Sequence, residues 1–87
     1  MRHELKVATP FFNEIRKGNK RFEVRYNDRG YNKGDVLRLK EITNKGILTN
    51  DYFDVSVDYV LNDMGLKEGW VAMSITVING ILGTLND

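Results

Sequence analysis

The chain has no cysteine and a single histidine, His3, among its 87 residues. Without cysteine it can form no disulfide, no thiolate nucleophile, and no thiolate zinc or iron–sulfur site. One histidine argues against a multi-histidine metal centre. The chain also lacks an apolar run near the ~18 residues of a membrane span, and its charged N-terminus has no apolar stretch like that of a signal peptide. These absences predict a cytoplasmic protein with no metal, no cofactor and no membrane partner.

The length and composition predict one domain over residues 1–87. Apolar residues make up 41% of the chain, which is too many for a disordered protein. A domain of this size buries only roughly 60–65% of the surface that its unfolded chain exposes. We therefore expect a thin core, in which any deep pocket is small or shared with a partner. No pattern indicates an oligomeric state.

The net charge of +1 conceals an uneven distribution of charge. Residues 16–33 contain seven basic and two acidic side chains, a local net charge of +5, whereas residues 50–87 contain one lysine and six acidic side chains, a net charge of −5. This asymmetry predicts one electropositive patch on an otherwise acidic body. The small total charge weighs against tight non-specific binding to a nucleic-acid duplex, because few counterions would be released.

The N-terminal third has the pattern of a strand, a short helix and a second strand. Residues 2–7 alternate weakly in polarity, which is typical of a strand. A helix is predicted at residues 10–17, with Thr9 as its N-cap and Gly18 as its left-handed stop. From residue 21 the period changes to two, and we expect the apolar side chains of this strand to face the core.

The rest of the chain has the pattern of short strands joined by turns. A polar loop is expected at residues 62–69, and the tail at residues 79–87 is expected to be poorly ordered or a short edge element. Strands are predicted at residues 36–40, 47–50, 53–59 and 70–78. Together these elements favour a mainly β (α+β) fold. We expect a mostly antiparallel small barrel of five or six strands with one short N-terminal helix, because closure removes exposed edges. Its expected core consists of Phe11, Ile15, Phe22, Val24, Leu37, Leu39, Val55, Val57, Tyr59, Val71, Met73 and Ile75.

The segment from Gly18 to Arg25 carries the most chemistry. Lys20 lies at the C-terminal corner of the predicted helix, and Glu23 and Arg25 project from one face of the next strand. An ammonium, a carboxylate and a guanidinium then meet at one mouth of the barrel. Arginine is shaped to clamp a phosphate or carboxylate, and glutamate can orient it or accept from a base amine. The alternative is a solvated strand face with an ordinary Glu–Arg pair, which contributes about 0–1 kcal/mol.

The same segment resembles a known family. Gly18, Lys20, Glu23 and Arg25 form the pattern Gly-x-Lys-x-x-Glu-x-Arg, which precedes a Lys-Gly-Asp turn at residues 33–35. This pattern resembles the ASCH domain, a PUA-like β-barrel. The resemblance is to a small stand-alone branch, described as a domain of unknown function and common in phages and mobile elements of bacteria. That branch reads much like this chain at residues 3–6, 22–29, 34–35 and 65–69.

The resemblance, which extends to about residue 78, implies a PUA-like barrel with a cleft beside the motif and a role with RNA or nucleotides. A related amidohydrolase branch removes the acetyl group from acetylcytidine. In that branch the motif lysine corresponds to Lys20, and a threonine stands where this chain has Glu23. The resemblance therefore implies a binding cleft lined by Lys20, Glu23 and Arg25. If the chain is an enzyme, Lys20 and Glu23 are its candidate catalytic residues.

Other side chains near the motif are predicted to extend this ligand- or RNA-binding surface. Arg21 and Arg29 enlarge the basic patch, while the segment 27–29 also has the composition of a simple turn. Tyr26 and Tyr31 flank that turn, and they can stack on a base or cover a barrel end.

Four side chains elsewhere have both a functional and a structural interpretation. Trp70 begins the last strand, where it can wall a binding pocket or close the barrel. His3 is expected to be a buried, hydrogen-bonded histidine rather than a general base. Asp54 and Asp58 share one face of a strand, and we expect an exposed polar face there rather than a metal site.

Three functions remain open. The first is a module that binds RNA or a modified nucleotide at the basic cleft. The second is a small hydrolase acting on a nucleoside amide such as acetylcytidine, with Lys20 as nucleophile or proton shuttle and Glu23 as general acid/base. The third is a protein-interaction module of a mobile element, since a basic patch on an acidic body also suits docking to another protein.

Overall fold

In the computed structural model, which describes residues 1–79, five strands form one sheet that curls into a half-barrel beside a short helix. The elements are β1 (Arg2–Ala8), α1 (Thr9–Arg16), β2 (Phe22–Tyr26), β3 (Val36–Ile42), β4 (Leu48–Leu61) and β5 (Trp70–Asn79). The sheet order is β1-β3-β4-β5-β2, with β1 and β3 parallel and the other neighbours antiparallel. The prediction of a mainly β fold with one N-terminal helix is confirmed. The barrel is only half-closed, because β1 and β2 are the two edges of the described sheet.

Helix α1 follows β1 without a loop and lies against the sheet through two buried side chains, Phe12 and Ile15. Phe11 is 55% exposed, so its prediction as a core residue is wrong; it lies about 100° around the helix from Phe12. The helix begins at Thr9, and its N-cap is Ala8, with no side-chain cap. Thr9 is therefore not the N-cap: its Oγ1 donates instead to Glu41 Oε2 at 2.7 Å, which ties the helix to β3.

Strand β2 alternates as predicted, but with its faces inverted. Phe22 and Val24 are 51% and 41% exposed, whereas Glu23 between them is only 5% exposed. Glu23 is paired in register with Met73 of β5, whose side chain is fully buried. The prediction that Phe22 and Val24 are core residues is wrong. The inner face of this edge strand carries a carboxylate, whose burial is compensated by two neighbouring cations.

A bulge in β4 changes which of its side chains face inward. The register with β5 shifts between Val57 and Tyr59. The extra residue moves every later side chain to the opposite face. Val60 therefore packs against the core, and Tyr59, predicted as a core residue, is 62% exposed. The predicted short strand at residues 47–50 is the beginning of the same long β4.

The core lies between α1 and the inner face of the sheet. Several predicted members are buried there: Ile15, Leu37, Leu39, Val55, Val57, Val71, Met73 and Ile75. The core also includes apolar residues outside the predicted set: Leu5, Val7, Phe12, Tyr31 and Phe53.

Asp54 on β4 is not part of an exposed face as predicted. It is 4% exposed and accepts two hydrogen bonds from Arg38 of β3, from Nε at 2.9 Å and Nη2 at 3.1 Å. This pair lowers the pKa of Asp54 below its usual range. Asp58 is exposed as expected, and it accepts from Ser56 and Thr76.

Within residues 1–79 no helix has the length and apolarity needed to cross a membrane. The predicted loop at residues 62–69 is confirmed between β4 and β5. Asn79 is the last residue of β5, and the remainder of the predicted tail, residues 80–87, lies outside the described residues.

Candidate functional site

A cleft of about 630 Å³ occupies the open side of the half-barrel. Its walls are residues 5–8 of β1 and residues 22–26 of β2, with Phe11 of α1 at one end. Arg29, Tyr31 and Trp70 complete it at the other end. Because β1 and β2 are separated in sequence by the helix and its turn, the cleft exists only once the sheet has curled.

Two arginines cross the cleft from the β2 side to the edge of β1. Arg25 Nη2 donates to the backbone oxygen of Lys6 at 2.8 Å, and Arg29 Nη1 donates to the backbone oxygen of Glu4 at 2.8 Å. An edge strand leaves backbone carbonyls without sheet partners, and these guanidinium groups satisfy two of them. The half-barrel is thus bridged by side chains where a closed barrel would have a backbone ladder.

Glu23 forms the charged floor of the cleft. Its Oε2 accepts from Arg25 Nε at 2.6 Å, and its Oε1 accepts from Lys20 Nζ at 3.1 Å. The carboxylate side chain is 7% exposed, while those of Lys20 and Arg25 are 19% and 27% exposed. A buried carboxylate needs such partners, because an uncompensated charge costs several kcal/mol. The three residues therefore hold one another in place.

Lys20 owes its position to the end of α1. Gly18 takes a left-handed φ of +83° after the helix, which only glycine adopts without strain, and the chain then turns into β2. Lys20 Nζ donates to the backbone oxygen of Phe22 at 2.7 Å, and it lies 4.7 Å from the centre of the Phe22 ring. The ammonium group is therefore held at the cleft floor beside an exposed aromatic face.

Tyr26 and Trp70 form an aromatic corner at the mouth of the cleft. Their rings meet edge to face at 6.1 Å, and they are 56% and 38% exposed. Gly69 supports this corner. A Cβ at Gly69 would lie 2.7 Å from Tyr26 Cε1, and the φ of +85° at Gly69 also favours glycine. Both aromatic residues, which the sequence predicts as ligand-binding, line the cleft.

Tyr31 has a different role from Tyr26. It is 5% exposed and packs edge to face against His3, with ring centres 5.0 Å apart. Burial raises the pKa of Tyr31 above its ordinary value. Tyr31 thus belongs to the core and also lines the cleft. The feature of the sequence that pointed to it was its position beside the turn.

His3 is buried and hydrogen-bonded, as the sequence predicts. Its Nε2 is 2.9 Å from Asp35 Oδ2. Asp35 is also buried, and it accepts from the backbone N–H of Asn32 and from the N-terminal amine of Met1. These bonds, with His3 as the largest cause, lower the pKa of Asp35. The cluster fixes the start of β1 against β3, and His3 does not line the cleft.

Of the predicted binding residues, the cleft gathers Lys20, Glu23, Arg25, Arg29, Tyr26 and Trp70. Arg21 is the exception. Glu23, two residues later, lines the cleft, but Arg21 precedes β2 and lines a separate depression near the end of α1. Neither the buried Asp54 nor the exposed Asp58 lines the cleft. No group of three potential metal ligands occurs in the part of the chain that the structure describes.

The cleft combines fixed charges with aromatic surface. Glu23 has accepted two hydrogen bonds, and a carboxylate offers about four lone-pair sites, so it can accept from further N–H donors. Arg25 has used Nε and Nη2, so its Nη1 remains able to donate. The cleft can therefore hold a flat polar molecule that presents donors to Glu23 and an acceptor or anion to Arg25.

Comparisons with known proteins support the fold and the family. The crystal structure of hypothetical protein PH0355 is similar to this chain with a TM-score of 0.58 and 20% sequence identity, over 90% of this chain and 100% of that chain. A likeness at this identity concerns the fold alone. Among curated proteins none matches the chain. The family described as "Domain of unknown function (DUF3850)" matches residues 2–75. Because this match covers most of the chain, the protein belongs to the DUF3850 family.

Proposed function

We propose that this protein binds a nucleotide, free or within RNA, at the cleft, and that it is an ASCH-type module of the PUA-like fold. The observation that carries the proposal is the floor of the cleft. Glu23 is buried there between Lys20 Nζ and Arg25 Nε, and the exposed rings of Tyr26 and Trp70 line the same cleft. The motif Gly-x-Lys-x-x-Glu-x-Arg supports the ASCH assignment, since three of its four residues line this one cleft.

Hydrogen bonding suits a base in this position. A nucleobase presents N–H donors and carbonyl or ring-nitrogen acceptors along one edge. Glu23 accepts from the donors, and Nη1 of Arg25, which makes no hydrogen bond within residues 1–79, donates to an adjacent acceptor or a phosphate. Lys20 and Arg25 already hold the carboxylate in one orientation, so little side-chain entropy is lost when the ligand binds.

Aromatic surface suits the flat face of the same ligand. Tyr26 is 56% exposed at the mouth of the cleft, with Trp70 against its edge. Stacking of a base on such a side chain contributes about 1–3 kcal/mol in single-strand binding proteins. The aromatic corner and the charged floor therefore supply the two kinds of contact that base recognition requires.

A thermal-shift screen tests the proposal. We expect a nucleoside, nucleotide or short RNA to raise the Tm of the wild-type protein, on the order of 10 °C at a hundredfold excess over Kd. The same ligand should leave the Tm of Arg25→Ala unchanged relative to its own unliganded value. Lys45→Gln, which removes a charge in the hairpin after β3, is the matched control and should respond as wild type does. A screen in which no nucleoside, nucleotide or RNA shifts the wild-type Tm contradicts the proposal.

A hydrolase that acts on a nucleoside amide is the second candidate, and the 3.1 Å contact between Lys20 Nζ and Glu23 Oε1 favours it. A paired amine and carboxylate at a cleft floor can pass a proton during amide cleavage. Glu23→Gln separates the two functions. If the protein only binds its ligand, the glutamine side chain keeps the shape of Glu23 and one acceptor, so some affinity for the ligand remains. In a hydrolase, turnover of acetylcytidine should fall about 10²–10⁴-fold.

A further inference from the structure

A second depression, of about 310 Å³, lies between the C-terminal end of α1 and β5. Its charged lining residues are all basic among the described residues: Arg16, Lys17, Lys20 and Arg21. We name it the basic groove. Lys20 lines both the basic groove and the cleft, so the two concavities adjoin at this side chain.

Two cations of the basic groove, Lys17 and Arg21, have weak intramolecular compensation. Lys17 Nζ lies 3.9 Å from Glu14 Oε2, and both side chains are largely exposed. Arg21 donates from Nε to the backbone oxygen of Gly18 at 3.0 Å, a contact that leaves its charge unneutralised. Exposed pairs such as Lys17 with Glu14 contribute about 0–1 kcal/mol, so an incoming anion can recruit Lys17 at little cost.

The charge balance differs between the two concavities. In the cleft, the carboxylate of Glu23 already neutralises part of the charge on Lys20 and Arg25. The basic groove has no acidic side chain among its described lining residues. The cleft is therefore suited to a base, and the groove to the phosphates of the nucleotide backbone. The sequence predicts Arg21 as part of the ligand- or RNA-binding surface, and in the structure it lines the groove rather than the cleft.

We propose that the ligand is a short single strand of RNA. One unstacked base occupies the cleft, and the adjoining phosphates pass Lys20 into the basic groove, where Lys17 and Arg21 contact them. This inference rests on the proposed function, because the strand is anchored by its base. A duplex does not fit this arrangement, since its bases are stacked and unavailable to the aromatic corner. A lone nucleoside would leave the basic groove without a ligand.

Fluorescence anisotropy with a labelled, randomised ten-nucleotide RNA tests the inference across a series of salt concentrations. We expect Lys17→Gln and Arg21→Gln each to weaken binding about 3–10-fold at low salt. Each should also reduce the slope of log K against log salt by about 0.7, the value for one phosphate contact on a single strand. Lys45→Gln is the matched loss of charge and should change neither quantity beyond a small uniform effect. Nucleosides serve as a second probe, and their thermal shift should be the same in wild type, Lys17→Gln and Arg21→Gln.

Four other outcomes would overturn the inference, and they can be told apart. If Arg25→Ala abolishes RNA binding while both groove variants bind with the wild-type slope, the groove does not contact phosphate and the proposed function survives. If only nucleosides bind, the ligand is not a strand, and again the proposed function survives. If Arg21→Gln loses RNA binding and Arg25→Ala does not, the strand is not anchored in the cleft. If a ten-residue polyglutamate peptide binds as tightly as the RNA, the groove recognises acidic protein instead.

Discussion

Arg25 reaches across the open side of the half-barrel and donates from Nη2 to the backbone oxygen of Lys6 at 2.8 Å. The same guanidinium holds Glu23 through Nε at 2.6 Å. One side chain therefore bridges the two edge strands and fixes the orientation of the cleft carboxylate. The ordered cleft depends on this arginine in two ways, through the edge it bridges and through the charge it neutralises.

Removal of Arg25 should destabilise the protein through Glu23. Arg25→Ala leaves a buried carboxylate short of one partner, and we expect the free energy of unfolding to fall by about 1–3 kcal/mol. In a Glu23→Gln background the same change should cost less, because no buried charge is left behind. Arg2→Ala, which removes an exposed arginine paired with Glu4 at 3.4 Å, is the control. Urea denaturation of the double-mutant cycle measures the coupling, and equal costs in both backgrounds would mean that the pair is not coupled.

Stability should fall in acid because of two buried aspartates. The pKa values of Asp35 and Asp54 are both lowered from the ordinary 3.8, chiefly by hydrogen bonds from His3 and Arg38 respectively. Above about pH 5 both groups are ionised in the folded and unfolded chain, so their stabilisation is complete. Below that pH the unfolded chain takes up protons first, and the stabilisation is lost as pH falls through the folded pKa. Tm measured from pH 6 to pH 2 should decline more gently in Asp54→Asn than in Asp63→Asn, an exposed loop control; identical profiles would refute the assignment.

Gly69 should tolerate alanine less well than another left-handed glycine does. Gly69→Ala adds both a strained φ and a Cβ at 2.7 Å from Tyr26 Cε1, whereas Gly46→Ala at φ +79° meets nothing within 4 Å. The backbone strain alone costs about 1–2 kcal/mol, so any larger loss in Gly69→Ala reports the clash. Fluorescence of Trp70, the single tryptophan, should change in Gly69→Ala as Tyr26 moves, and should stay constant in Gly46→Ala. A pair of variants with equal stability and equal spectra would rule out the supporting role of Gly69.

Because of the bulge in β4, truncation of Val60 should reduce stability more than truncation of Tyr59, the reverse of what strict alternation predicts. Val60 packs against the core after the bulge, so Val60→Ala should lower the free energy of unfolding by about 1 kcal/mol, since it removes buried methyl surface. Tyr59→Ala should change it by less than about 0.5 kcal/mol, because the ring is on the surface. Chemical denaturation of the two variants gives the comparison. If side chains alternated strictly through β4, Tyr59→Ala would cost more stability than Val60→Ala. That result would contradict the bulge.

Local patterns of the sequence determined the helix and the strands and many of the residues that they bury. The period of two in residues 53–57 and 70–75 identified inward-facing residues such as Val55, Val57, Val71 and Met73, because side chains alternate across a strand. Gly18 marked the end of the helix through its left-handed conformation. The motif from Gly18 to Arg25 identified Lys20, Glu23 and Arg25 as neighbours, because their spacing brings them to one face and one corner.

Tertiary structure decided which face of each strand is inside and where the cleft lies. Alternation in β2 is the same whether Glu23 or Phe22 faces inward; the choice depends on Lys20 and Arg25, which compensate the buried carboxylate. The bulge before Tyr59 depends on pairing with β5, and no local pattern in β4 records it. Arg21 is separated from Glu23 by one residue, yet it lies in another concavity because the chain turns there. The cleft itself arises where β1 and β2 face each other as the two edges of one curled sheet, a long-range relationship that the sequence encodes only through the whole fold.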